Sequence, residues 1–348
     1  MLTTTLDRFS RPLGVLWTRT LTQWTQDLPP RLAGLGQDYL AYAQVDSLLP
    51  RPVLTLVSAA HEHTELPDDL VDRLGTVALV PQVVRDLFAI HDDIVDGDTE
   101  KFGHPTLPEA FRRRIGTAGN GAALFWADLL LSLARDLLDD ANPKHRAPLW
   151  DVVVECVRRT QHGQLQELLW QRDLESITTD AIVRMYQDKA GDYCYGLPWR
   201  IGHTATGADP TQREAVARIL ETIGAASQIV DDLATGCPDL MEAGKDDPAE
   251  IRHLRRTLLL VELHQRLPAD HRLRPVIEGD LATDEQVEEI RLAFTTTGAV
   301  QAAARTAADL VEQTLRDLAR AKVGAAAHAY ISDLAQQRVL HGLRPVLA

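Results

Sequence analysis

Residues 87–106 read LFAIHDDIVDGDTEKFGHPT, and four carboxylates crowd its centre: Asp92, Asp93, Asp96 and Asp98. Asp92 and Asp96 stand at i and i+4, so on a helix their carboxylates share one face about 5–6 Å apart. Like charges that close repel each other. Either the run is a solvated helix end, or a cation holds the charges together. The preceding stretch VALVPQVVRDLFAI (77–90) is strongly apolar and belongs to a buried element, while Gly97 and Gly103 let the chain turn directly afterwards. A cluster of hard oxygen ligands in that setting suits Mg2+, which commonly takes one or two carboxylates plus substrate phosphate oxygens.

Outward from this run, apolar residues recur at helical spacing almost throughout, as in LFWADLLLSLARDLLDD (124–140) and DVVVECVRRTQHGQLQELLW (151–170). Alternating β patterns are nearly absent. Short punctuation separates the helices: LPPRL (28–32), LPDDL (66–70), ANPKHRAP (141–148), TGADPT (206–211) and LPADHRLRP (267–275). No internal repeat or low-complexity tract appears, so the reading is one all-α domain over residues 1–348, a bundle of roughly ten or more helices.

The 348 residues carry a formal charge of −14, which argues against nucleic-acid or anionic-membrane partners, since both need a basic face. A polyanionic substrate would need metal ions or a few local cations. Cys156, Cys194 and Cys237 have no CxxC spacing, so neither a disulfide framework nor a zinc site is indicated. The start MLTTTLDRFSRPLGVLW has no apolar core of a signal peptide, and no stretch reads as a transmembrane span, so a cytoplasmic protein is expected. Phosphate-binding GxxxxGK[ST], dinucleotide GxGxxG and Ser/His/Asp arrangements are absent.

HDDIVDGDTEKFGHPT resembles the first aspartate-rich motif of the trans-polyprenyl diphosphate synthases, DDxxD followed by four residues and RRGxPT. The resemblance is clearest over residues 46–250. ADLLLSLARDLL (127–138) is similar to the family's GDxLLxxA, GQLQEL (163–168) to GQxxDL, QDKAG (187–191) to its KTa segment, IGAASQIVDDL (223–233) to GxxFQxxDD and DLMEAGK (239–245) to DLxxGK.

The resemblance implies the all-α isoprenoid synthase fold around a central active-site cavity, in which two acidic clusters bridge a linear allylic prenyl diphosphate through three Mg2+ ions. It implies Asp92 and Asp96 as ligands with Asp93 in support, and Asp231 with Asp232 in the second cluster. Lys189 and Lys245 are implied as diphosphate clamps, Gln228 as a further polar contact, and a homodimer as the assembly. His91 reads as a hydrogen bonder beside the ligands, and Glu167 as either the acidic position of GQxxDL or a surface charge. Phe88, Phe102, Phe125, Trp126, Tyr193, Tyr195 and Trp199 could line an apolar pocket, or pack the core.

Two departures shape the functional expectation. Chain-elongating members hold a second substrate, isopentenyl diphosphate, with cations in three places. Here GGKRxRP is replaced by DSLLPRP, with Leu48 and Leu49 at the expected Lys and Arg, leaving Arg51; the Arg pair after the first cluster is Lys101 and Phe102; and a His is replaced by Arg85. The second motif reads DDLATGCPD, so Asp231, Thr235 and Asp239 reproduce the spacing of a class I terpene cyclase triad, (N/D)Dxx(S/T)xxxE. Alternatively Thr235 ends a helix and Asp239 caps the next. On this basis the expected activity is that of a Mg2+-dependent terpene synthase that ionises the allylic diphosphate and cyclises the cation. The alternatives are a prenyltransferase using isopentenyl diphosphate or a non-isoprenoid acceptor, and a non-catalytic subunit of a prenyl synthase.

Overall fold

The structure, a computed structural model, describes residues 2–44, 49–101, 103–141, 143–172, 174, 176–237 and 251–347. The all-α expectation holds. The helices that matter for the site are α1 (Leu2–Gln26), α2 (Ala33–Ala43), α3 (Pro50–Ala59), α4 (Leu70–Ala78), α5 (Val80–Asp96), α6 (Leu107–Ile115), α7 (Gly119–Leu137), α8 (Pro143–Leu169), α9 (Thr179–Tyr186), α10 (Leu197–Ala205) and α11 (Pro210–Gly236). Further helices follow, among them Leu258–Arg266, Asp284–Thr296, Ala299–Arg320 and Ala325–Ala335. Among the described residues the extended structure is one small antiparallel hairpin, β1 (Glu100–Lys101) with β2 (His104–Pro105), pairing Glu100 with Pro105 and Lys101 with His104.

The punctuation falls where prolines and glycines demand it, with one shift. ANPKHRAP reads as a connection, yet α8 already begins at Pro143 and carries Pro148 inside its length. Pro143 opens the helix because its missing N–H is not needed in the first turn.

The chain divides into two compact units. The first contains residues 1–155, 197–213 and 323–330; the second contains 156–196, 214–322 and 331–348. In the first unit α5 is the central element. Val80, Val83, Val84, Leu87 and Ile90 are fully or almost fully buried, following the helical repeat of its apolar run. Residues Leu70–Asp96 are long and apolar enough by composition to cross a membrane, but most of that stretch is buried inside the protein as core. In the same unit α10 lies directly on α3: a Cβ on Gly202 would sit 2.1 Å from the Thr55 carbonyl oxygen, and the Ser58 hydroxyl donates to the Trp199 carbonyl. In the second unit the segment Gln187–Gly196, after α9, is wound as a π-helix. A Cβ on Gly224 of α11 would meet the Gly191 Cα at 2.4 Å, so these glycines let π-helix and α11 touch backbone to backbone.

Candidate active site

The first carboxylate cluster forms the last turn of α5. Gly97 ends the helix in the left-handed region at φ 72°, with its N–H returned to the Asp93 carbonyl. Asp98 N–H also reaches that carbonyl, at 3.0 Å. The chain then turns through the hairpin, where Gly103 has φ 76° and the Thr106 hydroxyl donates to the Asp98 carbonyl at 2.7 Å. Asp92 and Asp96 are thereby held one turn apart and half-buried. A helix C-terminus carries partial negative charge, so carboxylates there are doubly unfavourable until a cation arrives.

Asp93 plays a different part from its neighbours. Its side chain is buried, and Oδ1 accepts from Lys101 Nζ at 2.8 Å, while Oδ2 is buried without a hydrogen-bond partner among the described residues. Burial pushes the Asp93 carboxyl up, against the pull of Lys101. Burial also works against the Lys101 charge, but Asp93 outweighs it and the ammonium is held above its ordinary value. Lys101, a sequence-predicted substrate cation, therefore spans the hairpin to the cluster's inner carboxylate.

A carboxylate that sequence reasoning missed lies two turns earlier. Asp86 is 0% exposed. It accepts hydrogen bonds from Tyr39 Oη at 3.1 Å, Arg85 Nη1 at 3.1 Å and Gln82 Nε2 at 3.4 Å. Burial raises its carboxyl, while Arg85, Tyr39 and Arg51 pull the other way. Of the sequence-predicted cation positions, Arg85 thus pairs with this buried acid, and the charge of Arg51 acts on it from farther away. Its signal was visible as an Arg-Asp pair inside the apolar run VVRDLF. Leu49, at the position where the family carries a cation, is 1% exposed and part of the core.

Aromatic rings pack around this network. Tyr39 lies 5.6 Å from Trp126 and 6.1 Å from Trp24, and Phe111 lies 5.6 Å from Trp126, centroid to centroid. Phe88 and Trp199 are buried, but Phe125 is 74% exposed on α7 and lines no interior pocket. Phe125 follows Leu124 and precedes Leu129 on an outward helical stripe, which explains its exposure. His91 lies 3.4 Å from Asp128, and its imidazole pKa is lowered by burial in spite of that carboxylate. A cavity of about 570 Å3 opens beside the hairpin, lined by Asp38, Tyr42, His104, Pro105, Arg113 and Arg114. Burial pushes the Tyr42 phenol up, and it feels the charges of Arg85, Asp86, Asp93 and Asp92.

The second unit holds the remaining described candidates. Lys189 lies in the π-helix, and its ammonium donates to Glu167 of α8. A Cβ on Gly163 would meet the Lys189 backbone N at 2.7 Å, which explains why a glycine opens the GQLQEL segment. On α11, Asp231 is exposed and Asp232 buried. Asp232 accepts from Gln228 Nε2 at 2.9 Å and from the Tyr186 hydroxyl, which in turn accepts from Leu258 N–H at 3.0 Å. Burial lifts the Asp232 carboxyl to about 7, with those two hydrogen bonds opposing. Gln228, expected as a substrate contact, is thus engaged with Asp232. Asp232, expected among the metal ligands, has a protein donor on each oxygen, which leaves Asp231 as the outward carboxylate.

The Thr235 hydroxyl donates to the Asp231 carbonyl at 3.1 Å and the residue is buried in the last turn of α11. Arg159, not singled out from sequence, ties Asp188 and Asp192 of the π-helix to Glu221 of α11 at 2.7, 3.3 and 2.8 Å. Asp239, Lys245, Leu48 and Phe102 lie outside the described residues.

Among the described residues no group of three His, Cys, Asp or Glu side chains is placed to hold a metal by itself. Pairs of hard oxygens are what the structure offers: Asp92 with Asp96 at a helix C-terminus, beside the unpartnered Oδ2 of Asp93. That donor set fits Mg2+ shared with a phosphorylated substrate.

A polyprenyl synthetase family model matches residues 41–294. The chain is 27% identical over 214 residues to a (2E,6E)-farnesyl diphosphate synthase of Mycobacterium tuberculosis, covering 60% of this chain and 54% of that protein. It is 26% identical over 241 residues to a nonaprenyl diphosphate synthase of the same organism, covering 69% and 67%. The chain thus spans about half the length of the farnesyl diphosphate synthase it matches. Among solved structures, a geranylgeranyl pyrophosphate synthase from Corynebacterium glutamicum, complexed with isoprenyl diphosphate and magnesium, superimposes with a TM-score of 0.80 at 19% identity, covering 94% of this chain and 98% of that one. A polyprenyl synthetase from Streptomyces coelicolor gives 0.78 at 21% identity, with 97% and 100% coverage. These likenesses establish the all-α isoprenoid synthase fold. The relatives named here are prenyl diphosphate synthases, so the comparisons do not support the cyclase expectation, which rested on the altered isopentenyl diphosphate positions and on the Thr235 spacing.

Proposed function

Because the chain belongs to the polyprenyl synthetase family, we propose that it is a Mg2+-dependent prenyltransferase that joins an allylic prenyl diphosphate to isopentenyl diphosphate. The observation that carries this is the last turn of α5, where Asp92 and Asp96 stand one turn apart at a helix C-terminus beside the buried Asp93, which is paired with the partly exposed Lys101. An all-carboxylate surface repels a diphosphate of about three negative charges unless divalent cations intervene. Bound Mg2+ would supply Lewis-acid stabilisation of the departing diphosphate.

The chain's own residues do the rest. Asp92, Asp96 and Asp231 are the outward oxygen ligands. Asp93 and Lys101 pin the hairpin to the end of α5, and Asp232 fixes the last turns of α11 through Gln228 and Tyr186. Lys189, and by position Lys245, bind diphosphate oxygens, which requires Lys189 to exchange Glu167 for the substrate. Relatives that make farnesyl and nonaprenyl diphosphates support elongation as the outcome. A cytoplasmic homodimer belongs to the same reading, and the exposed α7 stripe of Leu124, Phe125 and Leu129 supports α7 as its contact.

The test is incubation of the purified protein and Mg2+ with geranyl, farnesyl or geranylgeranyl diphosphate, with and without isopentenyl diphosphate. A longer prenyl diphosphate is expected only when both substrates are present, and chelation should abolish it. Hydrocarbon or alcohol formed from the allylic substrate alone would reinstate cyclisation and overturn this reading.

A further inference from the structure

The cations that would hold the second substrate carry their own counter-ion. Resting on the prenyl-transfer reading above, we propose that Asp86 is a specificity-determining residue that weakens the hold of this chain on a diphosphate-bearing acceptor. Asp86 is fully buried in α5 and takes donors from Tyr39, Arg85 and Gln82. A buried carboxylate is costly even when paired, and helix packing alone is served as well by a small or apolar residue. Such a group beside Arg85, at a position that the resemblance assigns to the acceptor's diphosphate, points to a role in that site.

Arg85 lies 3.1 Å from Asp86, and Arg51 is close enough to pull on its charge. Lys101, the third cation of the set, is bound to Asp93. Leu49 has left the set altogether by joining the core. An incoming diphosphate therefore meets guanidinium groups already neutralised in part, and a fixed negative charge behind them. Coulomb interaction over several ångströms at protein-like screening amounts to roughly a tenfold effect on affinity per unit charge. Asp86 is fully buried and both its oxygens already accept from protein donors, so its charge acts on the neighbouring cations and not as a ligand.

The experiment replaces Asp86 by Asn, which keeps the shape and one acceptor oxygen, to face Arg85 and Gln82, but removes the charge and turns the atom facing Tyr39 into a donor, and separately by Ser, which also removes bulk. KM values for isopentenyl diphosphate and for farnesyl diphosphate are measured at fixed Mg2+, at low and high salt. The ratio of the two KM values should shift about tenfold in favour of isopentenyl diphosphate in both variants, and the shift should shrink at high salt. Tyr39→Phe, which removes a hydrogen bond to Asp86 without changing charge, should leave the ratio at the parent value. A ratio unmoved in Asp86→Asn and Asp86→Ser, with thermal melts showing folded protein, overturns the proposal. So does an equal shift in Tyr39→Phe, because the cause would then be packing. Absence of any allylic diphosphate consumption by the parent protein would instead overturn the prenyl-transfer reading, and the proposal with it.

Discussion

At the scale of single residues, carboxylates that look alike in sequence separate by burial. Asp92 and Asp93 are neighbours, yet one is half-buried and the other is sealed against Lys101; the helical step of about 100° turns them to different surroundings. Asp231 and Asp232 repeat that division on α11. Replacing Asp92 or Asp231 by Ala should reduce turnover by several orders of magnitude while circular dichroism and melting stay close to the parent, because a half-exposed or exposed carboxylate contributes little to folding. Undiminished activity in either variant would rule out its assignment. Lys101→Met should instead act on stability. It strands the buried Asp93 charge, which for a fully buried pair costs about 3–5 kcal/mol; the partly exposed ammonium brings the expectation down to roughly 2–3 kcal/mol, to be read from urea unfolding.

At the scale of elements, α3 and α10 show how closely two helices can approach when a glycine and small side chains face each other. Gly202→Ala places a methyl group 2.1 Å from the Thr55 carbonyl oxygen and should destabilise the protein by roughly 2–3 kcal/mol through overpacking. The next residue, His203, is fully buried with its ring 4.1 Å from that of His61, and its pKa is lowered to about 4 by burial, by His61 and by Arg213, with the Asp209 carbonyl opposing. The folded state then binds fewer protons than the unfolded state between about pH 6.5 and the depressed value. Stability is fully present above the unfolded pKa and is lost as pH falls through this window, by up to about 3 kcal/mol. His203→Phe should flatten that slope in denaturant titrations at pH 7 and pH 4.5; an unchanged slope would mean that another group carries it. The π-helix Gln187–Gly196 belongs to this scale too. Its hydrogen-bonded rings are one residue larger than those of an α-helix, and it is held to its neighbours by Gly191 resting on α11 and by Arg159 gathering Asp188, Asp192 and Glu221.

At the scale of the whole molecule, the outward stripe Leu124, Phe125 and Leu129 on α7 is apolar surface that a lone chain leaves wet. If α7 forms the homodimer contact, Phe125→Glu should convert the protein to a monomer in sedimentation velocity with the helical content unchanged. A Phe125→Glu protein that still sediments as a dimer would place the contact elsewhere.

Much of the fold and part of the site were legible before any tertiary contact was known. The 3.6-residue repeat of apolar side chains determined the helices, proline and glycine marked most of their ends, although Pro12 and Pro148 lie inside helices, and the i and i+4 spacing of Asp92 and Asp96 determined a paired-carboxylate helix end. Those are local properties of the chain, set by backbone geometry within a few residues. Tertiary structure alone decided which acid of each pair is sealed inside, that Tyr186 braces Asp232, that Gln228 is engaged with Asp232, and that Asp86 is buried against Tyr39 and Arg85. Each of these depends on burial and on partners from other turns or other helices, tens of residues distant in several cases, and the free energy of a charge is fixed by that surrounding dielectric and its counter-ions, which no short stretch of sequence contains.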